Sequence, residues 1–420
     1  MQAESQYPFP SSWLARLLLP PGARLDALPL LVARALRGFA DGYVAVLLPA
    51  YLLGLGLGSL QVGIVATATL LGSALATLAI GVRGHRYRSR ALLRGAALLM
   101  MATGLGFAGL SKLWPLVLVA FVGTLNPSSG DVSVFLPLEH ARLAAAANGE
   151  ARTALFARYS VLGAVSAALG ALAAAVPDAL VGIGGLSRLD ALRAMFVLYA
   201  VIGLLVWWLY RLPAVETPTT AAAAEATAPL GPSRRVVMRL AALFSVDAFA
   251  GGLVVNALLA LWLLQRFGLS LAQAGAFFFW AGLLSAASQL LAPAVARRFG
   301  LLNTMVFTHI PSSVCLVLAA LVPGLVPALA LLLMRSALSQ MDVPTRTAYV
   351  MAVVTPAERP AAASFTAVPR SLAAALSPSI SGALLAIGWP AAPLVACGCL
   401  KIAYDLVLWR ACRKDALGDD

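Results

Sequence analysis

The chain is 420 residues long, 61% hydrophobic and only 11% charged, where a soluble domain carries about 45–50% apolar and about 25% charged residues. With a mean hydropathy of +0.89 it cannot be a soluble enzyme, a nucleic-acid-binding domain or a disulfide scaffold, and it reads as a polytopic membrane protein. The formal net charge of +13 resides in short loops between apolar runs, which is how membrane topology is set, so no nucleic-acid partner is expected.

Residues 1–27 form an amino-terminal segment with no basic residue in its first ten positions, interrupted by Pro8, Pro10, Pro20 and Pro21. It does not read as a signal peptide, and a short interfacial helix is expected over 13–19. Twelve apolar runs follow, each close to the ~20 residues that cross a bilayer. They cover residues 28–54, 60–82, 92–110, 114–138, 153–176, 191–210, 236–264, 271–294, 301–321, 325–350, 361–387 and 391–409. A linker rich in Ala, Thr and Pro (212–235) separates a first half (28–211) from a second (236–410), and a tail (411–420) closes the chain. An even number of spans puts both termini on one side. Twenty basic residues fall on that side, against four opposite, Lys112, Arg188, Arg193 and Arg266. The excess places both termini in the cytoplasm. Three lysines among 27 arginines point to a GC-rich bacterial genome, hence to a multi-pass protein of the bacterial cytoplasmic (inner) membrane. Cys315, Cys397, Cys399 and Cys412 lie in or beside apolar runs and are expected to be buried thiols. No metal or cofactor is expected, and no P-loop, GxSxG, HExxH or Rossmann fingerprint is present.

The halves repeat one another. At an offset of 212, Gln61 matches Gln273, Gly63 matches Gly275, His85-Arg86 matches Arg297-Arg298, Arg158 matches Arg370, and Gly170 matches Gly382. Asp131 matches Asp342 at an offset of 211. Parallel repeats with a substrate site between them at mid-membrane are a transporter architecture.

Twelve spans in a 6+6 repeat, a central linker and a basic loop after the second span resemble the major facilitator superfamily. That family's loop signature is met by Gly81, Arg86 and Arg90, while His85 stands where an acid is usual and Arg88 where a second Gly is usual. The second copy ends in Arg297, Arg298 and Gly300, again without the acid. The resemblance implies an all-α membrane protein of two pseudo-symmetric six-helix bundles, working as a monomer among membrane lipid, with spans one and seven lining a central cavity. It also leaves the usual gating contact of that loop to be supplied by other charges.

Ionisable side chains inside a span cost at least about 2.5–3.5 kcal/mol at its centre and are functional candidates by default. Arg34, Arg37 and Asp41 share one face of span one. Arg37, Asp41, Asn126 and Asp247 are the expected cavity residues. Asp247 has no base within one helical turn, so it and Asp41 are the candidates for proton coupling. Asp131 with Arg158, and Asp342 with Arg370, are expected to pair between neighbouring spans as a cytoplasmic gate or as structural braces, with Arg346 competing for Asp342. Pro127 is expected to kink span four. Lys401 and Asp405, four apart, are expected to neutralise each other, and His309 is expected to be a packing residue.

These features predict a secondary transporter of a small solute, working by alternating access and coupled to protons rather than to ATP. Because arginine binds carboxylate and phosphate bidentately, the solute is expected to be a small organic anion. Proton-driven export of amphiphilic drugs and lipid flipping or scrambling are the alternatives. Span five, which reads Val161-Leu162-Gly163-Ala164-Val165-Ser166, lacks the Gly-Pro element typical of drug–proton antiporters of that superfamily, which counts against export.

Overall fold

The computed structural model describes residues 18–83, 86–128, 133–212, 231–355 and 358–412. The described residues are helical, and sixteen helices make twelve spans. In the first half, α1 (Leu28–Gly54), α2 (Ser59–Arg83) and α3 (Ser89–Gly109) are one span each. Next, α4 (Leu113–Val122) and α5 (Phe135–Ala146) share the fourth, α6 (Gly149–Leu172) and α7 (Val176–Gly184) the fifth, and α8 (Arg188–Leu209) is the sixth. In the second half, α9 (Arg234–Gly252) and α10 (Asn256–Phe267) share the seventh span; α11 (Leu271–Phe299) and α12 (Leu301–Leu321) are the eighth and ninth. Finally, α13 (Leu325–Leu338) and α14 (Asp342–Ala352) share the tenth, and α15 (Arg359–Ala386) and α16 (Ala392–Cys412) complete the set. Helices are the expected solution, because hydrocarbon offers no partner to backbone N–H and C=O groups.

Among the described residues nine stretches are long and apolar enough to cross a membrane. The three remaining spans depart from that pattern for visible reasons. The first carries Arg34, Arg37 and Asp41, the fourth is interrupted between α4 and α5, and the eleventh contains Pro369 and Pro378. The fourth span is thus broken rather than kinked at Pro127, whose carbonyl accepts a hydrogen bond from Ala257 N, 3.0 Å away, at the start of α10. That bond joins the break in span four to the break in span seven, where the missing helical partners would otherwise leave backbone groups unsatisfied.

Small residues bring the helices together, as expected where lipid removes the hydrophobic drive between them. Gly42 on α1 lies directly against the Ala167 backbone of α6, a separation with no room for a side chain. The same device joins the halves. Gly63 on α2 abuts Pro378, Ser379 and Gly382 of α15, and its repeat counterpart Gly275 on α11 abuts Ala171 and Ala174 beside α6. Further ties are Ser379 Oγ to Thr67 Oγ1 at 2.7 Å and Gln265 Nε2 to Ser59 Oγ at 2.9 Å. These contacts all lie between mid-membrane and the end of the bundle away from the chain termini. Toward the termini the halves part. Cys315, Cys397 and Cys412 are buried, but Cys399 is exposed, contrary to expectation, because it lies two residues from Cys397 and therefore on another side of α16.

Candidate functional site

The parting of the halves leaves a cleft of about 180 Å3, lined by Arg34, Asp41, Asn126, His140, Tyr159 and Ser160 of the first half and by Gln289 of the second. Asp41 has no hydrogen bond or ion pair among the described residues and looks into this space. Arg34 has no carboxylate partner either, and its guanidinium lies 5.2 Å from the centre of the Tyr159 ring. Asn126 sits at the α4–α5 break, where its side-chain oxygen accepts from Ser128 N at 3.2 Å and Ser128 Oγ at 2.8 Å.

Arg37 does not neutralise Asp41. It turns to Glu139 of α5 and stacks over the Phe135 ring at 4.1 Å. Glu139 is wholly buried and also accepts from the Tyr159 hydroxyl and, at 2.5 Å, from the Tyr210 hydroxyl. Three donors thus satisfy one carboxylate, and Arg37 is 3% exposed, packed behind the cleft rather than lining it. Sequence reasoning gave Glu139 no role, since its partners are 102, 20 and 71 residues away; its only mark was an acid inside an apolar run.

In the second half, Asp247 is not the lone carboxyl expected. Lys401 Nζ lies 2.5 Å from its Oδ1, and Arg346 Nη1 lies 3.0 Å from its Oδ2. Lys401 therefore does not pair with Asp405, which instead faces His309 Nδ1 at 2.9 Å. Lys401 and Asp405 lie on different lines of contact because their helix, α16, packs against both α9 and α12. Arg346 also reaches Asp342 at 3.0 Å, so the expected Asp342–Arg370 pair is not formed. The pairing one helical turn along α14 needs no approach of α15, which is why it prevails. Arg370 is exposed, within electrostatic reach of Arg346, Asp247 and Asp342 but bonded to none of them. Because the Arg346 pairs lie within the second half, they cannot by themselves bolt one half to the other. Of the first-half gate pair, Arg158 lies on α6, and Asp131 is outside the described residues.

The loop-motif residues divide similarly. His85 is outside the described residues, and Gly81 has open space around it. Arg90 gives its guanidinium to the carbonyls of Tyr210, at 3.1 Å, of Arg211, at 2.5 Å, and of Leu212. It thereby caps the last carbonyls of span six, where a cation also meets the negative end of the helix dipole. Arg86 lies in the turn before α3. Arg297 and Arg298 occupy the last turn of α11, which Gly300 ends at φ +81°, a conformation that favours glycine.

Outside the membrane-spanning segments, Glu358 ties the segment entering span seven to the loop between spans ten and eleven. It accepts from Ser233 Oγ at 2.6 Å, Thr355 Oγ1 at 2.7 Å and Gly231 N at 2.5 Å. These donors hold its carboxyl down to about 2.

The sequence model of the Major Facilitator Superfamily matches residues 30–341. A curated relative, an uncharacterized membrane protein of Saccharomyces cerevisiae (YJR124C), is 25% identical over 354 residues, covering 76% of this chain and 79% of the yeast protein. Among solved structures, the nucleoside transporter NupG superposes with a TM-score of 0.72 at 12% identity, over 92% of this chain and 99% of the other. The xylose transporter XylE of E. coli in its inward-open conformation gives 0.69 at 16% identity, over 91% and 96%. A bacterial homologue of the human lysosomal transporter Spinster, inward-facing, gives 0.65 at 15%, over 92% and 94%.

Proposed function

The chain belongs to the major facilitator superfamily, and from that premise we propose that it is a proton-coupled secondary transporter of a small organic anion, described here with its cleft open to the cytoplasm. The observation that carries this reading is the pair Arg34 and Asp41. The two sit on one helix that lines the space between the halves, and among the described residues neither has an ionic partner. An arginine without a carboxylate is a ready anion site, and Arg370, exposed on α15, offers a second cation from the other half. An unpartnered carboxyl can take and release a proton without first breaking a salt bridge, so Asp41 is a better coupling residue than Asp247, which two cations hold. The excess of basic residues in the loops at the terminal end supports a cytoplasmic opening, with both termini in the cytoplasm of a cell whose cytoplasmic membrane holds the protein.

The packing supports alternating access. The halves touch through Gly63 and Gly275 near the closed end, and a rocking motion about mid-membrane closes the open end and parts these contacts. The test is uptake of labelled small carboxylates and phosphorylated solutes into proteoliposomes with and without an imposed pH gradient. Accumulation that follows the gradient is expected, lost in Asp41→Asn while exchange of solute for solute persists, with KM raised in Arg34→Gln or Arg370→Gln. Uptake confined to cationic amphiphiles, with Asp41→Asn abolishing binding itself, would replace this reading with drug export.

A further inference from the structure

Within the second half, six ionisable side chains from four spans form one unbroken line. It begins at Asp405 on α16, whose oxygens lie 2.9 and 3.1 Å from His309 Nδ1 on α12. The other ring nitrogen, His309 Nε2, lies 3.3 Å from Lys401 Nζ and 3.9 Å from Asp247 Oδ1. Lys401 and Arg346 then flank Asp247, and Arg346 ends the line at Asp342. Every member is sheltered, Lys401 most open at 12% and Asp405 most closed at 1%.

The charges do not balance. Three carboxylates face two permanent cations, so a neutral imidazole leaves one negative charge in a low-dielectric setting, where unpaired charge is costly. A proton on His309 makes the line neutral. The remaining charges nearby do not substitute for it. Arg370 acts on Asp247 and Asp342 only from a distance and is bonded to neither, and Arg335 on α13 contacts none of the three carboxylates. Tyr404 sets its ring edge-on to the imidazole at 6.4 Å, and its buried hydroxyl has no partner.

We propose that His309, backed by Asp405, is a proton-binding site separate from the solute cleft and tied through Lys401 and Asp247 to the Arg346–Asp342 pair of span ten. Asp405 fixes the resting tautomer by accepting the Nδ1–H, which leaves Nε2 as the acceptor of a Lys401 N–H. A proton enters when Lys401 passes one N–H proton to Nε2 and the amine takes one in turn from a hydronium ion, leaving water. The net change is one hydronium ion converted to water and one N–H bond formed on the ring. The site then holds two cations 3.3 Å apart. The new imidazolium N–H turns to Asp247, 3.9 Å from Nε2, and displaces Lys401 from that carboxylate, which loosens the tie between α16 and α9. Loading the proton thus acts on how α16 is held against α9. The proposal rests on the transporter reading only for the use made of that proton.

The experiment follows the three histidines by nitrogen-15 NMR in full-length protein held in lipid nanodiscs, titrated between about pH 4.5 and 9, with the His309 signal assigned by its loss in His309→Gln. The His309 signal is expected to change protonation state within the titrated range. Lys401→Gln removes the neighbouring cation and is expected to increase proton affinity at His309 at least tenfold. Asp405→Asn is expected to lower it by a similar factor, with the His140 signal unmoved as the check on folding. If Asp405→Asn does not fold, Lys401→Gln alone carries the comparison. A single protonation state across the range overturns the proposal, and so does a Lys401→Gln transition indistinguishable from the parent's. The titration needs no solute. Failure of wild-type protein to accumulate any solute along a pH gradient would remove the coupling reading and leave the His309 site decided by its own transition.

Discussion

Replacing Glu139 by alanine tests whether the polar knot behind the cleft holds the first half together. Arg37 is 3% exposed and Glu139 fully buried, so deletion of the carboxylate leaves a guanidinium charge stranded. Stranding one member of a buried pair costs about 3–5 kcal/mol. The hydroxyls of Tyr159 and Tyr210 lose their acceptor at the same time, about 1–3 kcal/mol each where no water replaces it. One relief is available, because Arg37 can swing toward Asp41 one turn along α1. We therefore expect a net loss of at least ~3 kcal/mol, which is more than a hundredfold in the unfolding equilibrium. Glu139→Gln, which keeps an acceptor for the tyrosines, should lose less. The double variant Arg37→Met with Glu139→Leu should be more stable than the two single losses imply, with a coupling of ~2 kcal/mol or more. Reversible unfolding in mixed detergent micelles measures all four. A Glu139→Ala protein within ~1 kcal/mol of the parent, or single effects that add within ~0.5 kcal/mol, would show that the knot is not coupled and that the reasoning is wrong.

Gly63→Val places a branched side chain against the backbone at Pro378, which has no freedom to move aside; the overpacking, about 1–3 kcal/mol, should spread the closed end. Distances between spin labels there should lengthen and uptake fall roughly tenfold or more, whereas Gly81→Val, in open space, should change neither. Asp41→Asn breaks no contact, so the unfolding midpoint should stay within ~0.5 kcal/mol of the parent while gradient-driven uptake disappears; a large loss of stability would mean that Asp41 is structural. Glu358 is held near 2 in the folded protein against about 4.3 unfolded. Its contribution is therefore fully present above about pH 4.3 and lost as pH falls toward 2. Glu358→Gln should remove that part of the acid-side decline, visible in melting temperature measured at intervals between about pH 2 and 6, and an unchanged pH profile would dismiss the clamp.

The span pattern could be read directly from composition because a bilayer imposes a simple rule, runs of about 20 apolar residues with every backbone group paired inside the helix. The repeat was legible too, and in the structure Gly63 and Gly275 both prove to be contacts between the halves, since duplicated helices present duplicated small faces. Pro127 announced an irregularity, though not that its carbonyl would be taken up by Ala257 across the interface. What the residues in a row could not disclose was the choice of ionic partners. Along a helix, sequence spacing reveals neighbours three and four apart, which is why Arg346 was visible as a rival for Asp342. Asp247 has no such neighbour, yet meets Lys401 at a separation of 154 residues, and Arg37 forgoes Asp41 one turn away for Glu139 at a separation of 102. Tertiary packing decided these pairings because the energy of a buried charge depends on the atoms that surround it in space. The helix that supplies them can come from anywhere in the chain.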